Sequence, residues 1–321
     1  MQKATLGAVL VTIAISLGAC SSTSSSPSAS SAPASQAATA APTTAASTAP
    51  SAAPSAAASA VATVPAGQLV FPGKLVVCSD IPYPPLEFFD DAGIPTGSDI
   101  DIATGIATKL GLTVQIENSV FDTIIAAVTT GKCDIIVSDQ NITPDRLKAV
   151  DMIPYFKAGQ SFVVAKGNPK AINATTDLCG KKVAAETGTT EVDYVNGTGD
   201  YKGKGLSKAC TDAGKPAIDM KEFPKDTDAL AALLGGQVDT YFADTPPAAY
   251  YTLQHPDQFD LSGIPALAPA VVGISVPKDK TGLHDAVRAA LLSMVADGSY
   301  VAILTKYHVQ DGALTPADIN K

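Results

Sequence analysis

The chain has 321 residues, with 31 acidic and 22 basic side chains and a net charge of −9. This acidic balance argues against nucleic-acid binding, because recognition of a phosphate backbone depends on clustered lysine and arginine. The three histidines, His255, His284 and His308, lie far apart and no Cys-x-x-Cys motif occurs, so we expect neither a metal site nor a cofactor.

Residues 1–19 have the features of a secretory signal. Lys3 gives the segment a positive charge, and residues 6–16 form an apolar stretch that is too short to span a bilayer. The signal ends in Leu-Gly-Ala-Cys (17–20), which resembles a bacterial lipobox. We therefore predict that Cys20 is lipidated and anchors the mature protein at the extracytoplasmic face of the cell membrane. The alternative is an ordinary cleaved signal followed by an unmodified Cys20.

Residues 20–67 are predicted to form a flexible tether. After Cys20 this segment is almost entirely Ser, Ala, Thr and Pro, and it carries no charged residue. Such a composition cannot bury enough apolar surface to offset the entropy of ordering. The folded part is therefore expected to begin near residue 68, and it is long enough for one large domain or two lobes.

The first part of the folded region alternates strands and helices, which predicts a mainly parallel sheet covered on both faces. The predicted strands are 74–79, 113–117 and 134–138. The predicted helices are one over 100–110, one that Asp122 caps and that runs to Thr129, and one that begins at Thr143-Pro144.

The second half repeats this order. Its predicted elements are a strand at 182–185, a helix opened by 188–190, a helix that Thr227 caps, a strand at 238–243 and final helices near 282–296 and 300–307. Residues 121–139 align without gaps on residues 226–244, which indicates either two related lobes or a chance match. If the repeat is real, Asp139 and Asp244 are equivalent, each at the carboxyl end of a strand, where open α/β sheets bind ligands.

Four cysteines follow Cys20. Cys179 and Cys210 lie in one segment and are the expected disulfide in an exported protein. Cys78 lies late in one predicted strand and Cys133 begins another. If those strands are parallel neighbours, the two thiols lie at opposite ends, so we expect buried free cysteines at both positions.

Several side chains near predicted strand ends are candidates for ligand contacts. Arg146 lies in the first turn of a helix and can hold a carboxylate with two hydrogen bonds, or it is a solvated surface charge. Residues 188–190 offer donors to an anion or simply cap a helix. Asp244 pairs with an ammonium or caps a helix. Tyr83 and Phe121 form the walls of a slot or pack beneath loops.

Long motifs resemble the bacterial extracellular solute-binding proteins of family 3, the receptors for polar amino acids in ATP-driven importers. The markers are YPPLEF (83–88), GSDIDIATGIATKLG (97–111), FDTIIAAVTTGKCDIIVSDQNITPDR (121–146), VAAETGTTEVDYV (183–195), YFADTPPAAYY (241–251) and ADGSYVAILTKYHV (296–309).

The resemblance implies the two-lobed α/β fold of type II periplasmic binding proteins, with mainly parallel sheets flanked by helices and a ligand cleft between the lobes. Lobe 1 is expected over residues 68–160, lobe 2 over 161–272, and a return to lobe 1 over 273–321. The two crossovers between the lobes are expected near 158–161 and 270–275.

The resemblance also implies roles for ten ligand-binding residues. Arg146 corresponds to the arginine that binds the α-carboxylate, with Thr189 and Thr190 as further donors, and Asp244 corresponds to the partner of the α-ammonium. The other six line the first lobe: Tyr83 and Phe121 on either side of the ligand side chain, Ser138, Asp139 and Asn141 at a strand end, and Asp80 at the far end of a cationic ligand.

These roles predict a monomeric binding protein that closes on an α-amino acid and delivers it to the permease of an ABC transporter. Many relatives have a small residue where this chain has Asp139. Together with Asp80 and Asp244, this carboxylate favours a basic amino acid such as arginine, lysine or ornithine. In the alternative, Asp139 pairs within the protein and the ligand is a neutral polar amino acid.

Two other functions remain as alternatives to transport. One is a ligand-sensing module that works with a separate partner. The other is an enzyme on the same scaffold, similar to cyclohexadienyl or arogenate dehydratases, with Glu87, Glu186 or Glu191 as the general acid. Nothing in the sequence favours one of these three glutamates as the general acid. We therefore expect a binding protein rather than an enzyme.

Overall fold

The computed structural model describes residues 61–267 and 269–321, and the description that follows applies to these residues. The predicted signal, Cys20 and the predicted tether up to residue 60 lie outside them. The described residues form two lobes, each built on a five-stranded sheet.

The elements of the described residues follow in chain order. The strands are β1 (Lys74–Ser79), β2 (Phe88–Phe89), β3 (Pro95–Thr96), β4 (Thr113–Asn118), β5 (Ile135–Ile136), β6 (Val150–Ala158), β7 (Gln160–Ala165), β8 (Lys182–Glu186), β9 (Asp219–Phe223), β10 (Thr240–Asp244), β11 (Phe259–Leu261) and β12 (Ala270–Pro277). The α-helices are α1 (Ser98–Lys109), α2 (Phe121–Thr129), α3 (Arg146–Ala149), α4 (Thr190–Asn196), α5 (Leu206–Asp212), α6 (Asp226–Leu234), α7 (Thr245–Gln254), α8 (Thr281–Ala296), α9 (Ser299–Lys306) and α10 (Pro316–Ile319). Short 3-10 helices span Thr175–Leu178, Gly199–Tyr201 and Gln310–Gly312.

The two sheets are mixed, with four of the five strands in each running in the same direction, as the alternation of strands and helices predicts. The strand order is β4-β1-β5-β12-β6 in lobe 1 and β11-β7-β10-β8-β9 in lobe 2. One strand in each sheet runs against the rest, β12 in lobe 1 and β7 in lobe 2. These are the strands by which the chain enters each lobe from the other.

Successive side chains of a strand point to opposite faces of the sheet. Both faces of the lobe 1 sheet carry apolar side chains, and helices bury both of them. Leu75 and Val77 of β1 face the larger core, which α1, α8 and α9 complete. Val76 and Cys78 face the opposite side and pack beneath Ile124 and other residues of α2. No single helix in the described residues is long and apolar enough to cross a membrane, although α8 and α9 together pass by length and composition, with a bend of 79° between them.

The chain crosses between the lobes at two points. Gly159 separates β6 of lobe 1 from β7 of lobe 2, inside the predicted crossover. The return crossing lies earlier than predicted, between Leu261 and Ala270, and the expected boundary at residue 272 falls inside β12. Strand pairing begins as soon as the chain reaches lobe 1, because Ala270 already pairs with Ala158 of β6.

The folded domain also begins before the predicted residue 68. The backbone N–H of Val61 donates to the Lys109 carbonyl at 2.9 Å, and Ala62 and Val64 pack against the lobe 1 core. The valines interrupt the Ser, Ala, Thr and Pro pattern and supply apolar surface to bury. The predicted tether therefore extends too far at its carboxyl end.

The aligned segments of the internal repeat form the same unit in both lobes. Each begins with a helix of nine residues, α2 or α6, and continues into a strand, β5 or β10. The predicted caps are wrong, because Val120 and Lys225 are the N-cap residues, and Asp122 and Thr227 are each the second residue of the helix. The strand predicted over 134–138 is also shorter, since β5 has two residues.

Both cysteine pairs form disulfides. Cys179 and Cys210, the expected pair, have Cα atoms 5.4 Å apart. Cys78 and Cys133 are joined as well, with Cα atoms 5.8 Å apart, so the expectation of free cysteines is wrong. Cys133 precedes β5 and does not begin it, so the register of parallel strands does not fix its position. Its side chain packs beneath α2 in the same cluster as Cys78.

Candidate ligand-binding cleft

The structure brings all ten predicted ligand residues to one cavity between the lobes. The cleft is nearly closed, with a cavity volume of about 20 Å³ between these residues. Lobe 1 contributes Asp80, Tyr83, Glu87, Phe121, Ser138, Asp139, Asn141 and Arg146. Lobe 2 contributes Glu186, Thr189, Thr190, Glu191 and Asp244.

The topology explains why these residues meet. Asp80 follows β1 and Asp139 comes shortly after β5, while Glu186 and Asp244 are the last residues of β8 and β10. These strands are parallel neighbours within each sheet. Their carboxyl ends lie at one edge, so polar side chains that follow them converge on the cleft.

Arg146 is fixed by contacts with both lobes. Its Nη1 donates to the Asn141 carbonyl at 2.9 Å, and its Nη2 donates to the Gly188 carbonyl of lobe 2 at 3.2 Å. The guanidinium also lies over the ring of Phe121, with its central carbon 5.2 Å from the ring centroid. Two of its five N–H donors are used in this way, which leaves donors for an anion.

The charge on Arg146 has no paired carboxylate among the described residues. Burial lowers the pKa of its guanidinium, while the charges of Glu191 and Asp244 oppose that shift. The group remains a cation because arginine is protonated throughout the physiological range. A ligand carboxylate is the anion that such a fixed guanidinium is suited to hold.

Glycine at position 188 allows the lobes to approach closely. Its backbone has φ of +82°, and a Cβ atom there would lie 3.0 Å from the Cα of Asp122 in lobe 1. Both the left-handed backbone and the close approach disfavour a side chain. The Gly188 carbonyl can therefore reach Arg146 across the cleft.

The two threonines of lobe 2 are engaged differently from the prediction. Thr189 Oγ1 donates to the Glu186 carbonyl at 2.7 Å. Thr190 Oγ1 accepts from Asn141 Nδ2 at 2.8 Å and donates to Glu191 Oε2 at 3.3 Å. Both hydroxyl protons therefore go to protein oxygens in this arrangement, and Thr190 links the two lobes.

Tyr83 and Asp244 form a second link between the lobes. The Tyr83 hydroxyl donates to Asp244 Oδ2 at 3.1 Å and accepts from the Asp244 backbone N–H at 3.0 Å. Burial, together with the Asp244 charge, raises the pKa of Tyr83 well above its usual range, so the phenol stays a donor. Asp244 Oδ1 has no hydrogen-bond partner among the described residues.

Asp139 is held in a costly backbone conformation beside the cleft. Its φ is +40°, a region that non-glycine residues seldom occupy. Its backbone N–H donates to Asp99 Oδ2 at 3.0 Å and to the Tyr155 hydroxyl at 3.2 Å. Neither carboxylate oxygen of Asp139 has a hydrogen-bond partner among the described residues. Asp244 of lobe 2 nevertheless acts on the Asp139 carboxyl group and lowers its pKa, so the internal pairing of Asp139 stays a prediction.

Carboxylates dominate the charge of the cleft. Burial raises the pKa of Glu186 to about 9 and raises those of Glu87 and Glu191 as well. The pKa values of Asp139 and Asp244 also lie well above their usual range, first through burial. The charges of Asp99 and Glu191 raise the pKa of Asp139 further, and those of Glu191 and Asp139 raise the pKa of Asp244. A cation entering the cleft would favour the ionised form of these groups.

Sequence reasoning missed part of this site. Glu186 and Glu191 were considered only as general acids, although Glu186 ends β8 just as Asp244 ends β10. Lys225 was not considered, yet its Nζ forms an ion pair with Asp80. No local signal marked this lysine, because the sequence predicted Thr227 as the cap of the helix whose N-cap residue is Lys225. The described residues contain no group of three or more His, Cys, Asp or Glu able to hold a metal ion.

The sequence pattern of the bacterial extracellular solute-binding proteins, family 3, matches residues 75–310. This chain belongs to that family. The match spans both lobes and confirms the resemblance drawn from the motifs. Among its relatives, the L-cystine-binding protein of Escherichia coli (strain K12) is 25% identical over 240 residues, which cover 74% of this chain and 84% of that protein.

Solved structures with the same fold include two ancestral proteins. An ancestral arginine-binding protein bound to arginine has a TM-score of 0.65 and 35% identity to this family 3 chain. The match covers 73% of this chain and 98% of that protein. An ancestral amino acid-binding protein, described as a precursor of cyclohexadienyl dehydratase, has a TM-score of 0.64 and 32% identity, with coverage of 73% and 95%. Both are similar to this chain over its two lobes.

Proposed function

We propose that this protein binds an α-amino acid with a cationic side chain between its lobes and delivers it to the permease of an ABC importer. The observation that carries the proposal is the charge arrangement of the cleft. One fixed guanidinium, Arg146, faces buried carboxylates that have oxygens without partners. An anionic group at one end of the ligand and two cationic groups elsewhere would complement this arrangement.

Each charged group of such a ligand has a partner. The α-carboxylate pairs with Arg146, which lines the cleft and has three N–H donors beyond the two that protein carbonyls accept. The α-ammonium pairs with Asp244, which Tyr83 holds in position. The second cation pairs with Asp139 and Glu191, which have unpartnered oxygens. Without a ligand these carboxyl groups are buried and largely unpaired, so a dicationic ligand offsets the cost of their desolvation.

Substitution of Arg146 tests the carboxylate contact. We expect Arg146→Ala to weaken binding of L-ornithine by about 2–5 kcal/mol, roughly 30-fold or more, because a buried charge pair loses one partner. Arg146→Lys keeps the charge but loses the forked geometry, so it should recover only part of the affinity. Isothermal titration calorimetry measures both effects.

The other arginine of the chain provides a matched control. Arg288 lies in α8 and pairs with Asp285 in the same helix, away from the cleft. Arg288→Ala removes the same charge and should bind ligand as the parent protein does. Equal affinities for Arg146→Ala and Arg288→Ala would rule out the proposed carboxylate contact.

A second candidate function is that of a dehydratase, and one observation favours it. Glu186 lines the cleft and its pKa is raised to about 9, so this carboxyl group carries a proton at neutral pH and has the property required of a general acid. The similarity to a precursor of cyclohexadienyl dehydratase is compatible with this chemistry. Incubation with prephenate or arogenate would yield an aromatic product if the protein were such an enzyme. We expect no product above a Glu186→Gln control.

We also propose that lipidated Cys20 holds the protein at the outer face of the cell membrane as a monomer. The support is the lipobox-like sequence 17–20 and its place after an apolar signal segment. Cys20→Ser should move the protein from the membrane fraction to the soluble extracytoplasmic fraction after cell fractionation. Retention of the Cys20→Ser protein in the membrane would contradict lipid anchoring at this residue.

A further inference from the structure

Lys225 of lobe 2 reaches a group of oxygens in lobe 1. It is the N-cap residue of α6, and its Nζ forms an ion pair with Asp80 Oδ1. The same Nζ lies 3.1 Å from the Ser119 carbonyl and 3.4 Å from the Ile81 carbonyl. A cation from one lobe is therefore surrounded by three oxygens of the other.

Asp80 differs from the other carboxylates of the cleft. Its Oδ1 is paired with Lys225, and its Oδ2 accepts from the Phe121 backbone N–H at 3.2 Å. Each of the other acids that line the described cleft has at least one carboxylate oxygen without a hydrogen-bond partner. These acids are Glu87, Asp139, Glu186, Glu191 and Asp244. Asp80 is thus the cleft acid that already has its cation.

The available acids lie close to the partners of the α-groups. Asp139 and Glu191 act electrostatically on both Arg146 and Asp244, which bind the α-carboxylate and α-ammonium in the proposed function. Asp80 follows β1, the strand beside β5, and so lies one strand further along the cleft edge from Arg146, which the Asn141 carbonyl holds beyond the end of β5. A second cation that uses Asp139 or Glu191 therefore has to sit near the α-carbon, whereas one that uses Asp80 has to reach further.

We propose that Lys225 determines ligand specificity by filling the cation subsite formed by Asp80, Ser119 and Ile81, so that the cleft selects short cationic side chains. The length selection rests on the proposed function, but the occupancy of the subsite by Lys225 does not. Removing the lysine side chain opens three oxygen acceptors to a longer ligand.

The first test compares diamino acids of increasing length. The parent protein should prefer L-2,4-diaminobutyrate or L-ornithine to L-lysine in calorimetric titrations. Lys225→Ala should shift the affinity ratio of L-lysine to L-2,4-diaminobutyrate by about tenfold toward L-lysine, the effect of one charge-assisted hydrogen bond. Lys225→Arg should keep the parent ratio because a cation still fills the subsite.

Lys221→Ala is the matched control. Lys221 lies in β9 of the same lobe and pairs with Asp219 of that strand at 2.8 Å, so its removal changes the net charge equally. In Lys221→Ala the ratio of the affinities for L-lysine and L-2,4-diaminobutyrate should equal that of the parent protein. An unchanged ratio in Lys225→Ala would overturn the selection of short side chains by Lys225.

A second test needs no amino acid. Propylammonium matches the atoms lost from Lys225→Ala, so it should raise the thermal midpoint of that variant by several degrees and leave the parent and Lys221→Ala unchanged. No increase would overturn the cation subsite itself. If the parent protein bound no α-amino acid, the proposed function would fail, and rescue by propylammonium would still establish the subsite.

Discussion

Asp139 and Asp244 come from opposite lobes, and burial raises the pKa of each well above its usual range. Both are at most 4% exposed, and each has an oxygen without a hydrogen-bond partner among the described residues. Burial favours the protonated form of such groups, while a neighbouring cation favours the ionised form. Ligand binding and proton release are therefore expected to be coupled in this cleft.

The coupling predicts proton release when a cationic amino acid binds. In the empty cleft the raised pKa values keep protons on part of the carboxyl groups, and the ligand cations lower those pKa values. Affinity should therefore increase with pH across the neutral range. Calorimetry of L-ornithine binding in buffers with different ionisation enthalpies measures the number of protons released.

Two substitutions distinguish protons released by cleft carboxyl groups from protons released by surface carboxyl groups. Asp139→Asn removes one titrating group and should release fewer protons. Asp145→Asn removes a carboxylate with a side chain that is 58% exposed and should release as many protons as the parent protein. Binding without net proton exchange in the parent protein would contradict the coupling.

At the scale of elements, each lobe carries one disulfide. Cys78–Cys133 joins β1 to the turn before β5, and Cys179–Cys210 joins the segment before β8 to α5. The cysteines are 55 residues apart in the first pair and 31 in the second. Cross-links of this kind stabilise the fold mainly by limiting the unfolded chain, and more so for longer loops.

Removing either disulfide should lower the free energy of unfolding by about 4 kcal/mol. The double substitutions Cys78→Ala with Cys133→Ala, and Cys179→Ala with Cys210→Ala, test the two lobes separately. Because the pairs lie in different lobes, the two losses should add. Urea unfolding measured by circular dichroism gives the values. A variant without the first pair that unfolds at the parent urea concentration would show that this bridge contributes no stability.

The local sequence predicted the presence of helices and strands better than the residues at which they begin and end. The strand at 74–79 is β1 as predicted, because five of its six residues are buried and the apolar run leaves little choice. The caps of α2 and α6 were wrong, since Asp122 and Thr227 have the right chemistry but lie one residue inside each helix start. The Cys78–Cys133 bridge was missed because it depends on the path of the turn before β5.

At the scale of the whole molecule, the family motifs predicted what local patterns left ambiguous. They indicated two lobes and ten residues that the structure collects around one cavity. They did not indicate Lys225, which meets Asp80 across 145 residues of sequence. Contacts between lobes depend on how the lobes meet, and helix and strand patterns carry no information about that.

The central claim is that the cleft binds an α-amino acid by its carboxylate, its ammonium and a cationic side chain. Calorimetric titration of the parent protein with three ligands of similar size tests it most directly. L-Glutamine matches L-ornithine in size without the side-chain charge, and putrescine is L-ornithine without the carboxylate. We predict that L-ornithine binds at least about tenfold more tightly than L-glutamine, the effect of one charge-assisted contact, and that putrescine does not bind measurably. Equal binding of L-glutamine and L-ornithine, or tight binding of putrescine, would contradict the account.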